Sequence, residues 1–309
     1  MKAEIAGKKA IRFADGVVNY MVLVIVVMLI AFAGYALWDS DHIHQAADKA
    51  YYEAYKPTVE DEGQSFQELQ AINAEVFAWL SVYGTNIDYP ITQGPDNIKY
   101  VNTSAEGRYS LSGSIFLDYN NSKDFRDFNS ILYGHHMTRS AMFGDIEKFN
   151  DKKTFDTNRY GVLYYDGKDH GLEFFAFIHC DAYDIAIFTA NVQDEYRQEY
   201  LDGIFEKAKY SRDIGVTTDD HIVLLSTCSA SSTNGRDILV GRISDKVFSE
   251  RDLQTDTGDR NNQRKPNDPY GMVNVIHVLP ILLLLILVIR LIVYIFVTYH
   301  KWNRYRKGL

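Results

Sequence analysis

Two apolar blocks stand out when the chain is read for hydrophobic and polar positions. The first, VVNYMVLVIVVMLIAFAGYALW, runs from Val17 to Trp38 and holds 22 positions without a charge. As a helix it is long enough to cross a hydrocarbon core of about 30 Å. A cleaved signal peptide would have a shorter apolar core and a small-residue cleavage site, so the block reads as an uncleaved anchor. The second block runs from Val273 to Val297, with Arg290 as its one charged residue. Arg290 lies toward the basic end of the block, where a long side chain snorkels to the interface.

The pattern between the blocks changes once. Residues 39–75 read as helical. HIHQAADKAYYEAYK is rich in Ala, Tyr and charge, and SFQELQAINAEVFAWL opens with Ser65 and Glu68 in capping-box spacing. Phe66, Leu69 and Ile72 then fall at helical intervals. From Val76 onward come short alternating or β-branched runs broken by turn residues. They predict eight strands, near VFAWLSVYG, NIDYPITQ, GSIFLDY, NSILYGHH, GVLYYDG, GLEFFAFIHCDAY, HIVLLSTC and DILVGRISDKV. That number at that spacing points to a closed barrel or a sandwich. One helix interrupts them: in NVQDEYRQEYLDGIFEKAKY, Val192, Tyr196, Tyr200, Ile204 and Ala208 recur every four residues. Residues 249–272 are polar, carry Pro266 and Pro269, and read as a tether.

Charge turns these blocks into a topology. Lys2, Lys8, Lys9 and Arg12 precede the first block, and Lys301, Arg304, Arg306 and Lys307 follow the second. Both tails are therefore expected in the cytoplasm, with residues 39–272 outside. Of the 32 basic and 41 acidic residues, 23 and 39 fall in that outer segment, a net charge of about −16. An acidic ectodomain without a basic face argues against nucleic-acid binding. Two cysteines in 309 residues exclude a disulfide scaffold and a Cys-rich zinc module. Phosphate-loop, dinucleotide and zinc-protease strings are missing as well. His42 and His44 have no third ligand nearby and read as solvated.

Candidate chemistry gathers at strand ends. Cys228 closes HIVLLSTC and precedes the small polar run SASSTNG, so substrate can reach its thiol. A cysteine nucleophile needs a proton acceptor or a cation beside it. His135, in ILYGHHM, ends a predicted strand 93 residues earlier, and Arg236 opens the strand after the cysteine loop. A guanidinium there suits a developing oxyanion. His136 points to the other side of its strand, and Cys180, in FFAFIHCDAY, reads as a buried thiol.

The string Ser226-Thr227-Cys228 with Arg236 behind it resembles the signature of sortases, the cysteine transpeptidases of Gram-positive cell surfaces. INAEVFAWL, GTNIDYPITQ, GSIFLDY, ILYGHHM followed by AMFGDIEKF, and the helix between strands six and seven agree in order. Together they resemble a class B sortase over roughly residues 65–248. The resemblance implies a mainly β fold: an eight-stranded sortase-type β-barrel with N-terminal helices, flanked here by two transmembrane helices. It implies Cys228 as nucleophile, His135 as general acid/base and Arg236 as the substrate and oxyanion anchor, with Ser226 and Thr227 lining the substrate. No cofactor or metal is implied. The implied partners are secreted proteins bearing a C-terminal sorting motif and an amine from peptidoglycan precursor or a pilin lysine, together with the lipid bilayer.

Three features depart from the family pattern. Leu224 stands where a Thr is usual. Arg236 follows Cys228 by only eight residues, which makes Arg242 the fallback anchor. A second span after the catalytic domain is commoner among pilin-polymerising sortases. The expected organisation is a cytoplasmic tail over 1–16, a span over 17–38 and a helical appendage over 39–75. The catalytic barrel follows over 76–248, then a linker over 249–272, a span over 273–297 and a basic tail over 298–309. Rival readings are an extracytoplasmic cysteine protease of papain or caspase type, whose local signatures are missing, and a non-catalytic two-span surface adaptor.

Overall fold

Alternating positions from Val76 onward build strands whose inward and outward faces are both covered over much of the sheet. In the computed structural model the described residues are 2–58, 63–229 and 234–249, with Arg290, Tyr294, Thr298, Tyr299 and Trp302. The expected linker, and most of the second span and of the basic tail, lie outside them. Two compact units divide the chain, one of residues 40–260 and one formed by the two ends.

The strands are β1 Val76–Val82, β2 Asp88–Thr92, β3 Ile115–Leu117, β4 Asn129–Tyr133, β5 Tyr160–Tyr165, β6 Lys168–Asp181, β7 Ala208–Ser211, β8 His221–Cys228 and β9 Gly235–Ser244. Their order is β5-β1-β2-β3-β4-β8-β9-β6-β7, and β5 also pairs with β6. Eight strands therefore close into a barrel, and the short β7 lies on an edge of β6. The β2–β3 and β4–β8 pairs are parallel; every other pair is antiparallel. β6 is 14 residues long. Its first part, Lys168–Glu173, pairs with β5 and Ala176–Ile178 pairs with β7, while β9 runs along the opposite edge as far as Asp181.

All eight expected strands form. β7 is an addition, because the expected helix stops early: α5 spans Arg197–Lys207, and Ala208 turns extended at φ −65°, ψ 123°. Tyr210 then pairs with Phe177 of β6. Spacing by four had placed Ala208 in the helix; tertiary pairing decides otherwise.

Inside the barrel Leu80, Leu132, Leu163, Val223, Leu225 and Leu239 are fully buried. On the outer face Ile131, Ile178, Ile222, Leu224, Ile238 and Val240 form a second core with Tyr200, Leu201 and Ile204 of α5. β4, β8 and β9 are thus covered on both faces, which explains their near-continuous apolar runs.

Before the barrel, α1 spans Lys2–Ala46. Its stretch Ile11–Ser40, with a mean hydropathy of 2.6 in its most apolar part, is the one helix among the described residues long and apolar enough to cross a membrane. α2, Lys49–Tyr52, is capped by the Asp48 carboxylate, which accepts from the Ala50 amide. α3 spans Gln64–Ile72 and begins after Gly63, whose φ of +76° is readily adopted by glycine. Ser65 is therefore not the N-cap that its spacing to Glu68 predicts. It already sits in the first turn, and its hydroxyl donates to the Lys56 carbonyl at 2.9 Å, tying α3 back to the preceding segment. Phe66 and Leu69 are buried as expected, with Phe66 packing edge-on against Trp79 and Tyr164. Ile72, at the end of the helix, is exposed.

Leu239 has no solvent exposure in the barrel interior and lies opposite Leu225. Leu239→Ala should cost about 2–5 kcal/mol, as for other buried leucine truncations. Equilibrium chemical denaturation of the full chain reads this directly; a loss below about 1 kcal/mol contradicts the two-sided packing described above.

Candidate active site

Strand register assembles the site. β4 and β8 run parallel with Asn129 opposite Ile222 and Tyr133 opposite Ser226, an offset of 93 residues throughout. His135 and Cys228 are separated by that same 93. The ladder extends through a bond from the Gly134 amide to the Ser226 carbonyl at 3.2 Å. The register, continued by two residues past the last pair, brings His135 alongside Cys228. On the other edge of β8, Cys228 lies directly opposite Arg236 of β9. Directly opposed residues share a face, so Cys228 and Arg236 sit side by side in a row on one face, and the register of β4 and β8 points the chain after Tyr133 toward their level.

The face is the outer one. Leu224 precedes Cys228 at even spacing, and Ile238 and Val240 follow Arg236 likewise; these apolar residues belong to the outer core under α5. The row is where that core runs out. Cys228 is exposed, while His135 and Arg236 are half-buried. One guanidinium N–H of Arg236 donates to the Gly235 carbonyl at 3.0 Å, which steadies the side chain and leaves other donors of its fork.

The eight-residue spacing from Cys228 to Arg236 is a consequence of this hairpin. The Ser229 amide donates to the Gly235 carbonyl at 2.8 Å, closing the connection so that residues 228 and 236 face each other. Arg242 shares their parity but lies opposite Ile222, six residues back along β8. That is about 20 Å away. It is also tied down, donating to Glu173 at 2.9 Å.

Ser226 and Thr227, expected to line the substrate, are each 2% exposed. Thr227 faces the barrel interior, opposite Asp237, which in turn pairs with His179 at 2.8 Å. The Ser226 and Thr227 hydroxyls are buried without a hydrogen-bond partner among the described residues. His136 is engaged elsewhere: its Nε2 lies 2.7 Å from Glu147 Oε2.

His135 Nε2 lies 2.7 Å from the carbonyl oxygen of Val101, in the connection between β2 and β3. Tyr133, two residues earlier on the same face, donates its hydroxyl to Asp118 at 3.1 Å. Burial and then the Asp118 charge push that phenol upward, so it stays a neutral donor. Sequence reasoning missed Val101, Tyr133 and Asp118. Tyr133 was findable from its parity with His135; a backbone carbonyl carries no residue-type signal.

Cys180 extends the row on its far side, since it lies opposite Arg236 on β6. Two strand spacings separate it from Cys228, about 9–10 Å, beyond the roughly 7 Å limit for a disulfide. Both thiols are free. Among the described residues no three His, Cys, Asp or Glu side chains gather into a metal site.

The fold and its strings have relatives. No family model matches the chain. Sortase B of Listeria monocytogenes is 30% identical over 218 residues, covering 68% of this chain and 88% of that one. The crystal structure of sortase B from the type II pilus of Streptococcus pneumoniae is 45% identical, with a TM-score of 0.52, over 59% of this chain and 99% of that one. A Streptococcus pyogenes class B sortase involved in pilus biogenesis is 41% identical, with a TM-score of 0.55, over 59% of this chain and all of that one. A barrel of this order with these relatives is a sortase, a cysteine transpeptidase. The chain belongs to the class B sortases.

Burial pushes the Cys180 thiol up to about 11, with Asp184 adding to the effect. A raised thiol has less thiolate at neutral pH, by about 100-fold against an ordinary cysteine near 9. Iodoacetamide at pH 8 should therefore modify exposed Cys228 and leave Cys180 intact, as read by peptide mass spectrometry. Cys180 modification should rise only as the pH approaches 11. Equal labelling of both at pH 8 contradicts the burial described here.

Proposed function

We propose that this sortase is a two-span membrane enzyme that cleaves a C-terminal sorting motif of secreted proteins and joins the new carbonyl to an amine. The observation that supports the reading is Cys228 opposite Arg236 at one end of β8 and β9, with His135 two residues past the end of the neighbouring β4. The Cys228 thiolate attacks the scissile carbonyl, and the oxygen gains the negative charge. Arg236 donates from its guanidinium to that oxyanion. When the tetrahedral adduct collapses, the C–N bond breaks, the electron pair stays on nitrogen and His135 supplies its proton. This leaves a thioester on Cys228 and a neutral imidazole. An incoming amine attacks the thioester, gives its proton to His135 and forms the new amide while the thiolate leaves. Water in place of the amine makes the same site a hydrolase.

The acceptor in this reading is a pilin lysine. The pilus systems named for the two streptococcal structures support it, as does the expected second span at 273–297. A peptidoglycan-precursor amine is the other acceptor the chemistry admits. The topology that follows has residues 39–272 outside and both ends inside, with α1 as the first anchor. The appendage over 39–75 and the barrel over 76–248 then form one catalytic body beyond the bilayer.

The test uses the full chain in detergent micelles. Peptides copied from the C-terminal regions of secreted proteins of the same organism serve as donors, with a lysine peptide or a peptidoglycan-precursor amine as acceptor. Cys228→Ala should abolish thioester and product while Cys180→Ala keeps both, and retained turnover in Cys228→Ala overturns the mechanism. Arg236→Lys should lower kcat/KM by about 10²-fold, as for a lost oxyanion donor. His135→Ala should lower it by about 10²–10⁴-fold. Arg242→Lys should stay within about threefold, because its charge acts about 20 Å away. A severe Arg242→Lys with a mild Arg236→Lys reassigns the anchor.

Topology is read separately on intact cells. Single cysteines introduced into a chain carrying Cys180→Ala and Cys228→Ala should react with a membrane-impermeant maleimide at positions within 39–272 only. Labelling at position 309 overturns the two-span arrangement.

A further inference from the structure

His135 reaches the row from a connection, two residues beyond the end of β4, so something outside the barrel ladder has to hold its ring. The partner is the Val101 carbonyl, at 2.7 Å from Nε2. A carbonyl oxygen only accepts, so Nε2 carries a proton in both ionisation states of the ring. The nitrogen that gains and loses the catalytic proton is then Nδ1.

The backbone around the Val101 carbonyl is closely packed. Gly113, at φ +60°, passes so close that an added Cβ would lie 2.6 Å from both the Tyr100 and Val101 oxygens. The Ser114 amide donates to the Tyr100 carbonyl at 3.0 Å. Below them the Tyr100 ring is fully buried, and its hydroxyl leaves the barrel's own elements. It donates to Glu75 at 2.5 Å and accepts from the Asn73 amide at 2.8 Å. Asn73 also donates to the Ala105 carbonyl at 2.9 Å, and Tyr51 of α2 donates to Glu106 at 2.9 Å. Asn73 and Glu75 close the helical appendage before β1. The appendage thus grips the connection that orients the histidine.

We propose that Tyr100 and Gly113 are positioning residues for His135: they fix the Val101 carbonyl, which holds the ring as the Nε2–H tautomer and turns Nδ1 to the leaving amine, with Asn73 and Glu75 of the appendage as the anchor. The proposal rests on His135 acting as the proton donor above. In the forward step the C–N bond breaks, its electron pair stays on nitrogen, and the Nδ1 proton moves to that nitrogen. The ring is left neutral with its Nε2–H still bonded to Val101. In the second step Nδ1 takes a proton from the attacking amine.

The full chain in micelles, labelled with ¹⁵N-histidine, tests this without substrate. Long-range ¹H–¹⁵N correlations identify which ring nitrogen of neutral His135 carries the proton, with His135→Gln supplying the assignment. The Nε2–H tautomer is expected, and the Nδ1–H tautomer overturns the proposal. Gly113→Ala pushes into the carbonyl and should convert His135 to a mixture of tautomers. Its kcat should fall by on the order of 10²-fold with KM within about twofold, the pattern of a misplaced catalytic group.

Tyr100→Phe removes one hydroxyl and keeps the buried ring. It should shift the tautomer mixture in the same direction and lower kcat about tenfold. If Gly113→Ala fails to fold, Tyr100→Phe decides alone. Tyr109→Ala, at an exposed site on the same connection, is the control and should change neither readout. A pure Nε2–H tautomer and unchanged kcat in folded Tyr100→Phe overturn the coupling. Because the tautomer is read without substrate, an active Cys228→Ala sinks the catalytic reading alone, whereas an Nδ1–H ring beside an inactive Cys228→Ala sinks the positioning alone.

Discussion

The constraint on which the site depends is register. A parallel pair of strands joined far apart in sequence has no hairpin to set its alignment, so burial has to do so. In β4 and β8, Ile131 and Leu132 lie beside Leu224 and Leu225 and are divided between the outer and inner cores. A slip by one residue would turn every one of these side chains to the wrong core. The apolar packing that stabilises the sheet therefore also fixes the alignment of His135 with Cys228. The antiparallel partner β9 obeys the same rule through Leu225 and Leu239, and so delivers Arg236.

Outside the ladder, alignment is held by different means. The segment after β4 is pinned by the Phe143 amide on the His135 carbonyl, and Tyr89 carries the link onward by accepting from the Met142 amide and donating to the Ala47 carbonyl. Polar contacts of this kind each contribute only about 0.5–1.5 kcal/mol, far less than the core, but they are directional. The enzyme divides the work accordingly, with burial setting which strand lies where and hydrogen bonds setting how a ring is turned. Tyr52 of α2 meets Tyr89 of β2 edge-on, and tyrosines are at once apolar bodies and hydrogen-bonding tips.

How much of this is legible in the sequence follows from the same division. Strands with clear periodicity or two-sided burial, such as HIVLLSTC, announce themselves, and so does a thiol at the end of one. The pairing of His135 with Cys228 became readable through resemblance, because spacing alone does not say that β4 and β8 are neighbours. Local rules failed where a tertiary contact outbid them. Ser65 satisfies a capping pattern, yet Gly63 starts the helix and the hydroxyl serves Lys56 instead. Ala208 fits the helical stripe, yet β6 captures it. The choice between Arg236 and Arg242 stayed open because parity is silent about distance along a strand. Val101 was invisible because its contribution is a backbone oxygen that every residue possesses.

The length of β6 has a consequence for what the site can receive. Closure of the barrel uses only the part of β6 that pairs with β5, and β7 covers a short stretch beyond it. From His179 to Asp181 the sheet continues with β9 along one edge and, among the described residues, no paired strand on the other. Arg236 and Cys228 thus sit on strands that run past the closed part of the barrel, with Cys228 exposed and Cys180 partly covered by the outer core. An exposed thiol at a strand end leaves room beside it that a buried one would not. For a transpeptidase, steric access of this kind matters as much as the reactivity of the thiol.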